Sequence, residues 1–214
     1  VRSRGLGDVY KSQVNTDDRI VMAMAELMRK QGYGATGMKQ ISEAANAPIG
    51  SIYHHFTNGK RDVAAEALRR SGAAYGELVI TLLSAYDDVA QALTAAFDTA
   101  AGTIVETDWM NMCPVSTVAG EIADTEPHLR AVAAEVMTGW VEAGTTLLVS
   151  RGLGEDDARS LVEASIAALE GAFVLARTRR SAEPLHAAGR AMAAYARTMQ
   201  VDRTRASTDQ RPVR

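Results

Sequence analysis

The chain has 214 residues, of which 47% are hydrophobic and 23% charged, which indicates a globular protein with a packed core and excludes a disordered one. No apolar run reaches the roughly 18 residues of a membrane span and no signal-peptide core is visible, so we expect a cytoplasmic protein without a membrane partner. Cys113 is the only cysteine, so we expect no disulfide within the chain. The net charge of −3 is unevenly distributed along the chain. Nine basic and five acidic residues through Arg61 give +4, and the remainder carries −7. A basic head, which suits binding to a polyanion, therefore precedes an acidic body.

Helical patterns run along the whole chain, without alternating β-branched runs or hairpin turns, so we predict an all-α fold. Thr16 or Asp17 is expected to cap a first helix that ends at the turn Gly32-Tyr33-Gly34. Two short helices follow, over 38–45 and 48–55. Asn46 suits the left-handed conformation of the turn between them, and Pro48 suits the first position of the second helix.

The remaining helices are longer. One begins at Lys60, passes Tyr75, breaks, and resumes near Asp87-Asp88 to end near Glu106. Further helices are predicted over 115–123, 127–150, 155–180 and 182–200, which makes about nine in all. No Gly-, Ser- or Pro-rich linker is present, so we expect the boundary between the two domains inside a helix. The predicted division is a flexible arm over 1–15, a head over 16–61, a body over 62–200 and a disordered tail over 201–214.

The segment from Gly34 to Lys60 has the make-up of a helix-turn-helix. Ile41 and Ala45 share one face of its first helix, and Ile52 and Phe56 share one face of its second, so both can pack against the helix that precedes them. The outer surface then carries hydroxyls, imidazoles and amines, the groups that donate hydrogen bonds to phosphate oxygens. These groups belong to Thr36, Lys39, Ser51, Tyr53, His54 and Lys60. We predict that the second short helix enters the major groove of DNA.

At these residues the sequence resembles the TetR family of transcriptional regulators. The residues that carry the likeness, all in register, are Gly32-Tyr33, Thr36, Ile41, Ala45, Gly50-Ser51-Ile52-Tyr53, His55-Phe56 and Lys60. The resemblance implies a ligand-responsive repressor without cofactor or catalysis, in which Thr36, Ser51, Tyr53, His54 and Lys60 touch operator DNA.

Four positions depart from the family pattern. Asn46 stands where glycine is usual in the turn, and Gly37 stands where a hydroxyl residue often caps the helix. Pro48 and Ile49 replace hydroxyl, polar or basic residues at the start of the recognition helix, and we include both in the predicted DNA-binding surface. Since this helix is poor in basic base-reading side chains, phosphate contacts and DNA shape should supply much of the affinity.

The body resembles the LmrA/YxaF-like repressors within that family. The likeness lies in Met112-Cys113-Pro114-Val115, Trp140, the segment 168–172, the segment 176–181 and Pro184-Leu185. It implies a homodimer formed by the last two long helices and a small ligand held in the body. The candidate dimer residues are Leu161, Ser165, Ala168, Leu169, Phe173, Leu185, Met192 and Tyr195. The candidate ligand residues are Phe97, Trp109, Met110, Met112, Cys113 and Trp140, and they favour an apolar or aromatic molecule.

Other interpretations of individual residues remain. His54 and His55 are adjacent, and neighbouring helical side chains point about 100° apart, so we predict no metal site. Cys113 is either a redox-active thiol or, as free cysteine usually is, a small buried hydrophobe. An all-α enzyme using Cys113 or His186, and a helical adaptor that binds only protein, are the alternative functions. Salt-dependent binding to DNA would distinguish both from a regulator.

Overall fold

The computed structural model describes residues 15–110, 112–113 and 115–209. Within these residues the chain forms nine α-helices and no β-strand, which confirms the all-α prediction. The helices are α1 (Thr16–Gln31), α2 (Met38–Ala45), α3 (Ile49–His55), α4 (Lys60–Ser84), α5 (Val89–Glu106), α6 (Ser116–Ile122), α7 (Pro127–Ser150), α8 (Glu155–Arg179) and α9 (Glu183–Asp209).

Helix ends follow local chemistry, with small shifts from the predicted positions. The N-cap of α1 is Asn15 rather than Thr16 or Asp17, and Gly32 ends the helix at a φ of 83°. Asn46 adopts the left-handed conformation with a φ of 48°, as its residue type allows. Pro48 is the N-cap of α3 and precedes its first helical residue. The carboxylate of Asp88 accepts the backbone N–H of Gln91 at 2.7 Å, which fixes the start of α5.

The chain divides into two compact units, and the division differs from the predicted one. The first unit contains the described residues up to Gly72 together with those from Val115 to Ala134, whereas we predicted a head that ends at Arg61. The boundary falls within α4 and again within α7. The segment 115–134 was missed because it joins the first unit through contacts distant in sequence, which helical periodicity cannot reveal.

The core of the first unit lies where α1, α2 and α3 pack together. Ile20, Met24, Ile41 and Ile52 are completely buried there. Since α2 and α3 have only eight and seven residues, they are too short to be stable as isolated helices in water. This apolar packing therefore holds them in place.

The second unit contains residues 73–113 and those from 135 onward. Helix α9 packs on both α5 and α8, and the buried residues of this unit include Leu93, Leu161, Phe173 and Leu185. Gly189 of α9 permits a close approach to α5, because a Cβ atom at that position would lie 2.7 Å from the Cβ of Phe97.

The chain ends differ from the predictions in one respect. Helix α9 extends to Asp209, whereas we predicted a disordered tail from Val201. The sequence from 201 to 209 contains no glycine or proline, so nothing in it stops a helix that is already formed. Of the predicted flexible arm over 1–15, residues 1–14 lie outside the described part of the chain, as do residues 210–214, while Asn15 is the N-cap of α1.

Candidate nucleic-acid interface and cavity

Helix α3 has one buried anchor and an exposed outer face. Ile52 is completely buried, while Ile49 is 43% exposed and Tyr53 is 52% exposed. His54 and Pro48 are also exposed, and Ser51 is half-buried. These residues, all predicted to bind DNA, therefore share one short helix or its N-cap. The exposed side chains are mainly apolar, aromatic and imidazole groups.

The Tyr53 ring is positioned by the turn after α3. Gly59 has a φ of 58°, and a Cβ atom there would lie 2.8 Å from Cε1 of Tyr53. Glycine is thus required both for the backbone conformation and for the approach of the ring. The carboxylate of Asp62 accepts the backbone N–H of Asn58 at 2.9 Å, and this hydrogen bond is the main cause of the lowered pKa of Asp62. The turn that supports Tyr53 is therefore well defined.

Lys39 supplies a positive charge beside this surface. Its side chain is 85% exposed, and its Nζ lies 3.8 Å from a carboxylate oxygen of Glu43 one turn along α2. An ion pair this exposed contributes little to stability, so the ammonium can exchange Glu43 for a phosphate at small cost. The assignment of Lys39 to DNA stays a prediction.

Thr36 requires correction as a predicted DNA contact, whereas the assignment of Lys60 to DNA stays a prediction. Thr36 is 1% exposed, and its hydroxyl donates to the carbonyl of Gly32 at 2.7 Å, so it holds the turn after α1. The Nζ of Lys60 lies 4.0 Å from the centre of the Tyr33 ring, a cation–π contact. Burial lowers the pKa of Lys60, against the opposing effect of Glu121 and Glu126. The Thr36 hydroxyl is therefore not presented to a phosphate, while the half-buried Lys60 side chain lies over Tyr33.

Two carboxylates of the segment 115–134 hold the turn after α1, and no motif or periodicity in the sequence indicates this role. Glu121 accepts the backbone N–H groups of Tyr33 at 2.8 Å and of Gly34 at 2.5 Å. Glu126 accepts the Tyr33 hydroxyl at 3.2 Å and the Nε of Arg61 at 3.0 Å. Burial, followed by the nearby charge of Glu126, raises the pKa of Tyr33 to about 12. This segment is thus tied by polar contacts to the turn that leads into α2.

No group of three or more His, Cys, Asp or Glu side chains among the described residues could hold a metal ion. His54 and His55 contact each other edge to face, with ring centroids 5.2 Å apart. Within the described chain, no helix is both long and apolar enough to cross a bilayer.

The second unit encloses a cavity of about 160 Å³. Helices α4, α5, α7 and α8 contribute its walls, which are mostly aliphatic and aromatic. Two of the predicted ligand residues, Phe97 and Trp140, line it. Trp140 packs against Tyr75 with ring centroids 5.6 Å apart, and Gly76 makes room for its indole, because a Cβ atom there would lie 2.8 Å from the indole Cδ1.

The other four predicted ligand residues are not among those that line the cavity. Trp109 and Met112 pack against the core cluster around Phe173, and Cys113 is completely buried. Met110 is half-buried in the turn after α5. These residues follow the helix end at Glu106, whereas the cavity lies between helices, and their assignment to a ligand stays a prediction. Residues on α4 and α8 that do line it were not predicted.

Several predicted dimer residues also need correction. Leu161, Phe173 and Leu185 are at most 1% exposed and belong to the core of their own chain. Ser165 and Leu169 line the cavity, and Met192 packs against the core. The broad apolar face of α8 was read as an interface, but it turns toward helices of the same chain. Ala168 and Tyr195 keep surface positions, half-buried and 38% exposed respectively.

A shallow groove of small residues runs between α8 and α9. Its walls include Ala167, Ala168, Gly171, Leu175, Ala187 and Ala188, with Arg179 and Glu183 beside them. Leu175 is 52% exposed and its neighbour Val174 is 54% exposed. Large apolar side chains are therefore presented to the outside next to a surface that lets another helix approach closely.

These features define a helix-turn-helix transcriptional regulator, and comparison with known proteins agrees. Residues 20–67 match the family model of bacterial regulatory proteins of the tetR family, and residues 89–191 match the model of the LmrA/YxaF-like C-terminal domain of transcriptional regulators. The chain belongs to the TetR family of transcriptional regulators, as its sequence predicted, and it is a non-enzymatic DNA-binding protein.

Relatives of known sequence carry the same description. The HTH-type transcriptional regulator YxaF of Bacillus subtilis is 29% identical over 174 residues, which cover 81% of this chain and 91% of that protein. The HTH-type transcriptional regulator Rv0196 of Mycobacterium tuberculosis is 30% identical over 78% of this chain and 87% of its own length. The HTH-type transcriptional regulator LmrA of Bacillus subtilis is 27% identical over 78% of this chain and 89% of its own.

Solved structures share the fold. The TetR regulatory protein of Rhodobacter sphaeroides superposes with a TM-score of 0.74 at 22% identity, covering 84% of this chain and 98% of that one. A TetR transcriptional regulator from Chloroflexus aurantiacus gives a TM-score of 0.68 at 28% identity, covering 84% and 93%.

Proposed function

We propose that this regulator is a repressor that binds a near-palindromic operator as a homodimer and is released by a small apolar or aromatic molecule. The observation that carries the proposal is the outer face of α3, where Ile49, Tyr53 and His54 are exposed while Ile52 is fully buried. A helix held by one buried side chain, with an aromatic hydroxyl and imidazole outward, can donate to phosphates and contact base edges. Because the target is DNA, we also propose a cytoplasmic location.

The groove between α8 and α9 supports the proposed dimer. In a two-fold interface the same surface of both chains meets, so Leu175 of one protomer would fill the small-residue groove of the other. Arg179 and Glu183 beside the groove have opposite charges. Glu183 accepts a hydrogen bond from Arg190 of its own chain at 2.6 Å, so two-fold pairing of Arg179 with Glu183 of the partner subunit would add a second arginine to that carboxylate. A dimer would place two α3 helices about 34 Å apart, one turn of B-DNA.

The cavity supports release by a ligand. Some arrangements of the two heads in a dimer would not fit the operator. A molecule that binds such an arrangement more tightly would favour it and so lower the affinity for DNA, and bound DNA would lower the affinity for the molecule by the same factor. Helices α4 and α7 both contain residues of each unit and provide continuous elements for this coupling. The polar contacts of Glu121 and Glu126 would carry it to the turn before α2.

Selection of duplexes from a random pool tests the proposed operator. We expect two inverted half-sites whose centres are about 10 base pairs, or a multiple of one turn, apart. Enrichment of a single half-site, or of none, would contradict a dimer on a palindromic operator.

Sedimentation tests the proposed interface. Leu175→Glu should convert the dimer to a monomer, because a carboxylate would be buried without a partner. Val105→Glu is the matched control, since Val105 of α5 is 49% exposed and Leu175 is 52% exposed. Equal masses for the two variants would refute the groove as the interface.

A further inference from the structure

Helix α8 lines the cavity of the second unit with one of its faces. Val162, Ser165, Leu169 and Phe173 all belong to the wall, and they follow one another at spacings of three and four residues. Helical side chains at this spacing project from the same side, so Ser165 lies within an otherwise apolar row that faces the cavity. The hydroxyl of Ser165 is therefore placed where a bound molecule can reach it.

The Ser165 hydroxyl has no hydrogen-bond partner within the described chain. Its Oγ is buried, and among the described side chains that line the cavity it is the one nitrogen or oxygen that is both buried and unpaired. Buried hydroxyls are almost always hydrogen-bonded in proteins, because an unpaired one has lost its hydration without compensation. A molecule bound in the cavity can supply the missing partner.

The threonine hydroxyls of the same cavity are already paired. Thr99 donates to the carbonyl of Ala95 at 2.8 Å, and Thr103 donates to the carbonyl of Thr99 at 2.9 Å. Both acceptors lie one turn earlier in α5, so these hydroxyls are bonded within their own helix. Ser165 of α8 makes no such bond.

The walls offer no uncommitted charge to a ligand. Among the described residues that line the cavity there is no Lys, Arg or His, and the one carboxylate, Glu170, already interacts within the chain, as does Trp140. Burial, ahead of the nearby Cys113 and Glu170, raises the pKa of the Tyr75 phenol well above its ordinary value, so this phenol is neutral at physiological pH. Since an unpaired charge is costly to move from water into apolar surroundings, a neutral occupant fits best.

The volume of the cavity sets the size of the occupant. About 160 Å³ is close to the volume of apolar cavities that accept a benzene ring. Helices α7 and α8 are in close contact at this wall, because a Cβ atom at Gly144 would lie 2.9 Å from Cγ1 of Val162. One ring therefore fits without separating these two helices.

We propose that the cavity binds a neutral molecule of one ring that bears a hydroxyl or carbonyl oxygen, and that this oxygen forms a hydrogen bond with the Ser165 hydroxyl. A serine hydroxyl both donates and accepts, so either kind of oxygen fits. This inference rests on the proposed function only in taking the cavity as the site of the releasing molecule. It adds the position of one polar group to a ligand class otherwise defined as apolar or aromatic.

Removal of the hydroxyl tests whether Ser165 is unpaired in the ligand-free chain. Ser165→Ala should leave the urea midpoint of the full chain unchanged or raise it, because no hydrogen bond is lost and alanine has the higher helix propensity. Ser160→Ala, at an exposed position of the same helix, is the matched control and gives the effect of helix propensity alone. A midpoint for Ser165→Ala below that of the unaltered chain would overturn the proposal, since the hydroxyl would then be bonded within the chain.

Two ligands that differ in one group test the hydrogen bond by calorimetric titration of the full chain. Benzyl alcohol carries a hydroxyl where ethylbenzene carries a methyl group, and the two have nearly the same shape. We expect the affinity for benzyl alcohol, divided by that for ethylbenzene, to be about tenfold higher in the unaltered chain than in Ser165→Ala, which corresponds to a hydrogen bond of about 1.4 kcal/mol. Comparing this ratio between two proteins cancels the different hydration of the two ligands.

A second variant and two charged ligands are the controls. Tyr75→Phe removes a hydroxyl from another wall of the cavity and keeps the ring, so it should leave the ratio of the unaltered chain unchanged. Benzylammonium and benzoate resemble benzyl alcohol in shape but carry a charge. Each should bind the unaltered chain about tenfold more weakly than benzyl alcohol, because the walls offer no uncommitted charge of opposite sign.

A ratio that is equal in the unaltered chain and in Ser165→Ala, or that falls in Tyr75→Phe instead, would overturn the proposal, as would tighter binding of either charged ligand. Failure of every ligand to bind would also overturn it, and operator binding measured on the same sample would then still stand as support for the proposed function. Conversely, the expected ratios without any DNA binding would refute the proposed function and leave the ligand site intact.

Discussion

Two isoleucines of α3, three positions apart, should separate stability from DNA binding. Ile52 is completely buried between α3 and the rest of the head, whereas Ile49 is 43% exposed on the outer face. The same substitution, Ile→Ala, removes the same atoms from both. We expect Ile52→Ala to lower the melting temperature and Ile49→Ala to lower the affinity for the operator.

The burial of the two side chains sets the magnitudes. Truncating a fully buried isoleucine removes apolar contacts and leaves a cavity, at a cost of about 2–5 kcal/mol. For a chain of this length about 3 kcal/mol corresponds to a melting temperature lower by about 6–12 °C. Ile49→Ala acts on a partly exposed site, so its effect on stability should stay near ~0.5 kcal/mol. Removal of the Ile49 side chain from a base contact should weaken the free energy of operator binding by about 1 kcal/mol or more, which is about a fivefold loss of affinity.

Circular dichroism melts and anisotropy titrations on a selected operator measure the two effects separately. Below its melting temperature the Ile52→Ala protein should keep most of its affinity, while the Ile49→Ala protein should bind weakly at every temperature. If Ile49→Ala melts far below the unaltered chain, or if it binds the operator normally, the assignment of the outer face of α3 is wrong.

Three further predictions follow from contacts outside α3. Glu121→Ala removes the acceptor of two backbone N–H groups and should reduce the free energy of unfolding by about 1 kcal/mol in a urea titration, whereas Asp124→Ala, which is likewise exposed in the same segment, should change it little. Gly189→Ala would bring a Cβ within 2.7 Å of the Cβ of Phe97 and should cost about 1–3 kcal/mol by overpacking; an unchanged urea midpoint would show that α9 and α5 approach less closely. The pKa of the Tyr33 phenol is raised to about 12 from 10.0, so the contribution of the protonated phenol to stability is complete below pH 10 and is lost as the pH rises toward 12. Tyr33→Phe should therefore flatten the fall in melting temperature between pH 10 and 12. A melting temperature that falls equally in the variant and the unaltered chain would contradict the buried phenol.

Local sequence signals were sufficient for two helix ends and for the core of the head. Asn46 and the Asp88 cap mark helix ends through chemistry confined to a few residues, and the structure has both as predicted. Ile41 and Ile52 were placed in the core by helical period alone, and both are completely buried. Such features depend on neighbours in sequence, so a single chain reveals them.

Features that depend on residues distant in sequence were missed or misassigned. Glu121 lies 88 residues from Tyr33 in the chain, and no periodic pattern relates the two. Lys60 matches the position of a DNA contact in the family pattern, and the contact of its ammonium with the Tyr33 ring was not predicted. Phe173 has the apolar character of an interface residue, yet it is buried in its own chain. An apolar helical face indicates burial without indicating which partner covers it.

The dependence of operator affinity on salt is the most direct test of the claim that this chain acts by binding DNA through α3. Anisotropy titrations of a labelled, selected duplex should give log K that falls linearly with log salt, with a slope of about −0.9 for each phosphate neutralised. Tyr53→Ala should weaken binding by about tenfold, the loss expected for a contact worth about 1.4 kcal/mol, without changing the mass of the protein in solution. Affinity that is independent of salt, or equal for the unaltered chain and Tyr53→Ala, would contradict the account.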